Sequence, residues 1–270
     1  MIIDFHTHIF PKKIAERAIS RLSAIVNLKP GTNGCAEGLR ASMQKAGIDL
    51  GVVLPVVTDI RQFDSIVCFA AFLNETYGSC QEQRLISLAG IHPDDPDYKE
   101  RLVLLKREGF AGIKVHPNYQ NVEFNDLRMK NLLYAASEIG LPVITHAGFD
   151  PYTPDHEFCT PDMILEVLKD VAPENLILAH LGSNENYEEA EEKLCGQNVY
   201  LDTAYSITHV KEAQFIRMVR KHGADKILFG TDSPWTDQKT CVEILKKCAL
   251  TDWEKELIFS KNAMKLLGIR

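Results

Sequence analysis

With 270 residues and 30.4 kDa, the chain exceeds a minimal domain and approaches the roughly 250 residues of one α/β barrel. Its 45% hydrophobic and 25% charged content excludes extensive disorder, and seven scattered cysteines without a Cys-x-x-Cys pair exclude a zinc ribbon or a disulfide framework. A net charge of −7 gives no overall attraction for nucleic acid or an anionic membrane, and no apolar run approaches the roughly 20 residues of a membrane helix.

One cytoplasmic domain over residues 1–270 is therefore expected, acting on a small-molecule substrate, with a homo-oligomer open. Along the chain, short segments rich in Val, Ile and Leu recur at 1–6, 51–57, 85–92, 110–116, 142–146, 176–180, 199–203 and 227–232. Near-continuous apolar runs of this length suit strands of a parallel sheet covered by helices. Amphipathic stretches separate them, at 35–46, 61–80, 95–108, 126–139, 184–194, 209–222 and 238–247, with further helix over 252–267. Thr160 and Pro161 read as a cap and first helical residue. Eight strands alternating with helices predict an α/β fold of the (β/α)8 TIM-barrel type.

The polar residues at the strand ends carry the chemistry. Alternation along the first strand puts Asp4, His6 and His8 on one face, so two imidazoles converge; Asp4, lower in the barrel, reads as a structural group, and Asp202 as its counterpart on strand 7. Strand 5 ends at His146, strand 6 at His180 and strand 8 at Asp232, all at the carboxyl face where barrel enzymes place their sites. Ionisable groups gathered at one end of an apolar barrel need a compensating partner such as a cation.

Asp-Phe-His-Thr-His, Gly-Ile-His-Pro, Gly-Ile-Lys-Val-His-Pro, Thr-His-Ala-Gly, Ala-His-Leu-Gly and Leu-Phe-Gly-Thr-Asp-Ser-Pro, in that order, resemble the amidohydrolase-related branch of the amidohydrolase superfamily, which includes aminocarboxymuconate-semialdehyde decarboxylase. The resemblance runs over nearly the whole chain. It implies that His6, His8 and His146 bind a divalent metal, usually one zinc, with Asp232 completing the site, and that His180 faces the reacting group. Three nitrogens and a carboxylate leave room for a water made acidic by the metal, whose proton Asp232 can take.

Strand 4 divides the expectation, because Lys114 and His116 share the inward parity. Lys114 is either an unmodified cation for a substrate carboxylate, with His116 beside it, or a carboxylated bridge between two metals, as in dinuclear members. His92, Tyr152, His156, Tyr205 and Trp235 are candidate pocket walls; Tyr152 and His156 belong to a long connection, residues 148–160, of the kind that covers such sites. The expected activity is hydrolysis through a metal-activated water, and the alternative is nonoxidative decarboxylation of a small unsaturated or aromatic acid. A third reading, a metal-dependent deoxyribonuclease, calls for a strand-4 glutamate where this chain has Lys114.

Overall fold

The computed structural model describes residues 1–269. The apolar runs become strands: β1 Ile3–Thr7, β2 Leu50–Val53, β3 Arg84–Ser87, β4 Ala89–Gly90, β5 Ile113–Val115, β6 Val143–Thr145, β7 Leu176–Leu178, β8 Tyr200–Asp202 and β9 Ile227–Leu228. All pair in parallel with their sequence neighbours, as β1-β2-β3 and as β4-β5-β6-β7-β8-β9. The expected third strand is the β3–β4 segment, which changes partner at Leu88. Leu88 N–H donates to Val53 O at 3.0 Å, and Ala89 N–H donates to Gly112 O at 3.0 Å.

The ring closes between its first and last members. Phe5 N–H donates to Phe229 O (2.8 Å), Asp232 N–H to His6 O (2.9 Å) and His8 N–H to Ser233 O (2.7 Å). Asp4 fastens the same seam from behind. Its carboxylate accepts from the backbone N–H of His6 and Thr231, from Thr231 Oγ1 at 2.6 Å and from Gln238 Nε2 at 2.7 Å. Burial pushes the Asp4 pKa up to about 6 against the pull of those donors.

Two apolar layers result. Ile3, Phe5, Leu50, Val52, Leu88, Ile144, Ile177, Tyr200 and Leu228, drawn from around the ring, fill the barrel interior. A larger cluster, including Leu39, Met43, Leu102, Leu132, Ile164, Phe215 and Leu245, packs the helices on the outside of the strands. Strict alternation on β1 does not hold: its register against β2 slips between Asp4 and Thr7. Ile3 and Phe5 join the interior while Asp4 turns to Thr231 and Gln238, so Asp4 does not share a face with His6. The slip is what allows the histidine following an inward Phe5 to reach the mouth.

Most helices lie where periodicity put them, with shorter ends: Ala36–Ala46, Phe63–Tyr77, Tyr98–Arg107, Leu127–Glu138, Pro161–Asp170, Tyr187–Lys193, Glu212–His222 and Gln238–Lys247. Thr160 caps the helix it precedes, accepting from Met163 N–H at 3.3 Å. The closing stretch divides into Asp252–Glu256, a π-turn over Leu257–Lys261, and Asn262–Leu267. A helix at Lys12–Val26 was outside the expected set; it buries only Ala15 and Ile19 and has no side-chain cap, although Ile14, Ala15, Ala18, Ile19, Leu22 and Ile25 recur at helical spacing. Among the described residues no helix is long and apolar enough to cross a membrane.

Asp4→Ala removes the acceptor of four donors at the closing seam. Urea unfolding should show a loss of about 2–4 kcal/mol; an unchanged midpoint would mean that the backbone bonds alone close the barrel.

Candidate metal centre and active site

Closure of the seam sets the first cluster. His6 Nε2 and His8 Nε2 are 3.1 Å apart, and Asp232 Oδ1 lies 3.5 Å from the former and 3.1 Å from the latter. Outer hydrogen bonds fix which nitrogens carry protons. His6 Nδ1–H donates to Asp202 Oδ2 at 2.7 Å, and His8 Nδ1–H donates to Leu54 O at 3.0 Å. Both Nε2 atoms face each other and a carboxylate oxygen. A cation bound to the two nitrogens and Oδ1 would satisfy all three at once. Atoms about 2.0–2.1 Å from one tetrahedral ion lie roughly 3.3 Å apart, so the spacing suits a divalent cation. Burial holds the His6 pKa well below its ordinary value, keeping the ring neutral and able to ligate.

The backbone is bent to make this arrangement. His180, Tyr205 and Asp232 have φ of 58°, 59° and 65°, a region uncommon for residues with side chains and often found at functional sites. Asp202 holds one of these bends, its Oδ1 accepting from His180 N–H at 2.8 Å and Ala204 N–H at 3.0 Å. Gly230 makes the space, since a Cβ there would come within 2.9 Å of His6 Cβ.

His146 takes its place in an adjoining group rather than among those three donors. Ligand atoms of His116, His146 and Asp150 lie within 4.8 Å of one another, as do those of His6, His8 and Asp232. His180 Nδ1–H donates to Ala204 O at 2.9 Å, and its Nε2 lies 3.0 Å from His146 Nδ1. His146 Nε2 is buried and without a hydrogen-bond partner. The His146 ring stacks on His116 at 4.4 Å, and His116 stacks on Tyr119 at 4.0 Å. Burial drives the pKa of both imidazoles well below the usual value.

Lys114 is 1% exposed. It stands in register with Gly90 and Ile144, hence on the interior face. Burial pulls its pKa down to about 8, while Asp202 and Asp232 partly oppose that.

The other expected wall residues scatter. Tyr152 meets Tyr119 edge-on at 4.8 Å, at the rim of the histidine stack. Trp235 N–H donates to Asp232 O at 2.8 Å, and Tyr205 stacks on His209 at 4.1 Å. His92 is buried in its own turn, Nδ1 accepting from Asp94 N–H at 3.1 Å. His156 is not brought to the group: its side chain is 51% exposed and pairs with Glu123 at 3.0 Å. Asp150 and Tyr119 are the residues that sequence reasoning missed. Asp150 follows His146 by four positions in the 148–160 connection, where no periodicity reveals which polar side chain turns inward.

Residues 3–269 match the Amidohydrolase family. No curated protein matches the chain by sequence. Among solved structures it is similar to 2,6-dihydroxybenzoate decarboxylase from Rhizobium (TM-score 0.73, 16% identity, covering 99% of this chain and 98% of that one). It is also similar to 5-carboxyvanillate decarboxylase from Sphingomonas paucimobilis (0.74, 12%, 100% and 99%). A third is a dihydroxybenzoic acid decarboxylase from Polaromonas sp. JS666 with bound manganese and the inhibitor 2-nitroresorcinol (0.72, 16%, 99% and 96%). At these identities the likeness establishes the barrel fold.

Asp202→Asn leaves the backbone acceptor in place but weakens the orientation of His6. Competition with a chelator should show divalent-metal affinity reduced about 10–100-fold with the fold intact; full affinity would mean that His6 needs no such partner.

Proposed function

The chain belongs to the amidohydrolase family of metal-dependent enzymes, and on that footing we propose that it is a nonoxidative decarboxylase of a small aromatic or unsaturated carboxylic acid. The observation that carries this over the expected hydrolysis is the whole-length likeness to decarboxylases of aromatic acids. The interior of the site agrees with it. Lys114 is a buried cation without an ion-pair partner among the described residues, flanked in register by apolar Ile144, and a substrate carboxylate would supply the missing charge.

His6, His8 and Asp232 are the residues that would hold the metal, with His146 next to them; zinc is the expected ion, and the nitrogen–oxygen set also suits manganese. When bound, the metal would act as a Lewis acid toward a substrate oxygen. The protein's own groups do the rest. Lys114 holds the anionic substrate by its ammonium. Asp232 rests as a carboxylate and keeps Oδ1 toward His6 and His8, which leaves Oδ2 to take a proton from solvent as the substrate binds and pass it to the ring carbon that bears the carboxylate. The carbon–carbon bond then breaks, its electron pair returns to the ring, carbon dioxide departs, and the delivered proton occupies the vacated position. His180, fixed by Ala204 O and hydrogen-bonded to His146, stabilises the charge that develops. The whole barrel, residues 1–270, works as one domain in this reading.

The direct test is a panel of aromatic acids, unsaturated acids, lactones and amides, with carbon dioxide and acid release followed separately. Carbon dioxide from an aromatic acid is expected; acid release from an amide or lactone, with no carbon dioxide from any acid, would return the assignment to hydrolysis.

Two variants separate the roles. His180→Asn should retain its metal while turnover falls by about 10²–10⁴; metal lost in step with activity would make His180 a ligand. Lys114→Ala should leave metal content unchanged and lower kcat/KM, as expected when binding energy is lost. A metal lost with the lysine, and activity partly restored by short carboxylic acids, would instead show a carboxylated bridge between two ions.

A further inference from the structure

One flank of the barrel is apolar where its surroundings are charged. Of the 15 residues of the helix Phe63–Tyr77, only Asp64 and Glu75 are charged. Phe63, Ala70 and Leu73 are buried toward the barrel, yet Cys68, Ala71 and Phe72, at helical spacing on the outer side, are exposed. Phe72 is 52% exposed, with only Phe69 stacked beside it at 6.4 Å. A helix that is apolar all round belongs to a buried environment, and aromatic residues gathered on an outer face mark contacts with other proteins.

The neighbouring helix supplies the complement. Tyr98–Arg107 follows the next strand of the ring, so the two helices run side by side in one direction, and the Arg101 guanidinium, 4.2 Å from the Phe63 ring, joins them. Its outer side presents Val103, 56% exposed, between Lys99 near the start and Lys106 and Arg107 at the end, with Glu100 as its only acid. Elsewhere on the outer helices exposed charges pair within the chain: Lys130 with Glu166 and Asp170, Lys193 with Asp162 and Glu189, Arg217 with Glu191. Asp64, Glu75 and Lys99 are exposed and have no such partner among the described residues. Arg107 meets only Glu108, at 3.4 Å in solvent.

We propose that this flank is the interface of a homodimer. A two-fold axis parallel to the two helices and midway between them sets the acidic helix of each copy on the basic helix of the other. That rotation preserves helix direction, so Asp64, second in its helix, meets Lys99, second in its own, while Glu75 meets Arg107 near the far end. Phe72 and Val103 lie between, covered from water. An axis perpendicular to the helices would instead stack acid on acid, Asp64 against Glu75 of the second copy, at a cost in repulsion. The flank is about 22 Å long and about 20 Å wide, at the small end of stable interfaces, so association is expected in the micromolar range. It lies on the side of the barrel and leaves both mouths open, so it stands apart from the reading of the reaction.

The test is sedimentation equilibrium of the full-length protein across micromolar concentrations, with circular dichroism confirming that each variant is folded. A dimer is expected. Each contact occurs twice across the axis, so Phe72→Glu should weaken it about 100-fold or more; Val103→Glu serves if that variant does not fold. Asp64→Lys and Lys99→Glu should each weaken it about 10- to 100-fold, and the double variant should recover the wild-type affinity because the pair is restored with its signs exchanged. A wild-type monomer at every concentration would overturn the proposal, whether or not it binds phosphatidylcholine vesicles. So would a dimer indifferent to Phe72→Glu and Val103→Glu, a double variant weaker than either single one, or a dimer tightened by Asp64→Lys, the result of acidic helices stacked on each other.

Discussion

The seam between β1 and β9 is the constraint on which the site depends. His6 and His8 belong to the first strand and Asp232 lies just past the last, so they become neighbours only when the ring closes. The closing bonds are made by the same residues: His6 O accepts from Asp232 N–H, and His8 N–H donates to Ser233 O. Backbone hydrogen bonds at the seam and ligand spacing at the mouth are thus one geometry. Asp4, buried behind the seam and bonded to Thr231, connects the stability of the barrel to the position of the carboxylate that follows.

A second carboxylate organises what closure brings together. Asp202 receives the His6 Nδ1–H on one oxygen and two backbone amides on the other, so one side chain sets the tautomer of a metal donor and the backbone bend at His180. From His180 the order passes to His146, whose free nitrogen is directed away from the hydrogen bond that holds it. His6, His8 and His180 are each held at Nδ1 by a carboxylate or a backbone carbonyl. The Nε2 atoms of His6 and His8 and the Asp232 carboxylate crowd one another at the mouth, which leaves it incomplete without a cation. In a low-dielectric interior such incompleteness is costly, and the bound state relieves it.

Much of this was legible before any coordinates. The apolar runs marked the strand positions because parallel strands are buried on both faces and read as continuous Val, Ile and Leu. The clustering of His6, His8, His146, His180 and Asp232 at strand ends pointed to one face of the barrel, and Thr160 with Pro161 announced its helix by local chemistry. The helix over Lys12–Val26 has no side-chain cap to mark its start, and only the spacing of its apolar residues announces it.

What the sequence determined by itself are the features that local chemistry and periodicity dictate: eight βα units, the family, and which strand ends carry imidazoles and carboxylates. Tertiary structure alone decided which of those groups meet. The register slip on β1, beyond Asp4, brought His6 to the mouth and left Asp4 behind the seam, so the two do not share a face as strict alternation would have them. The path of the 148–160 connection brought Asp150 inward and left His156 paired with Glu123 in solvent, because a loop has no repeating geometry from which side-chain direction can be read. His146 fell beside His116 and Asp150 for a similar reason. The orientation of an imidazole is set by the contact on its far nitrogen, here with His180, and that partner comes from another strand.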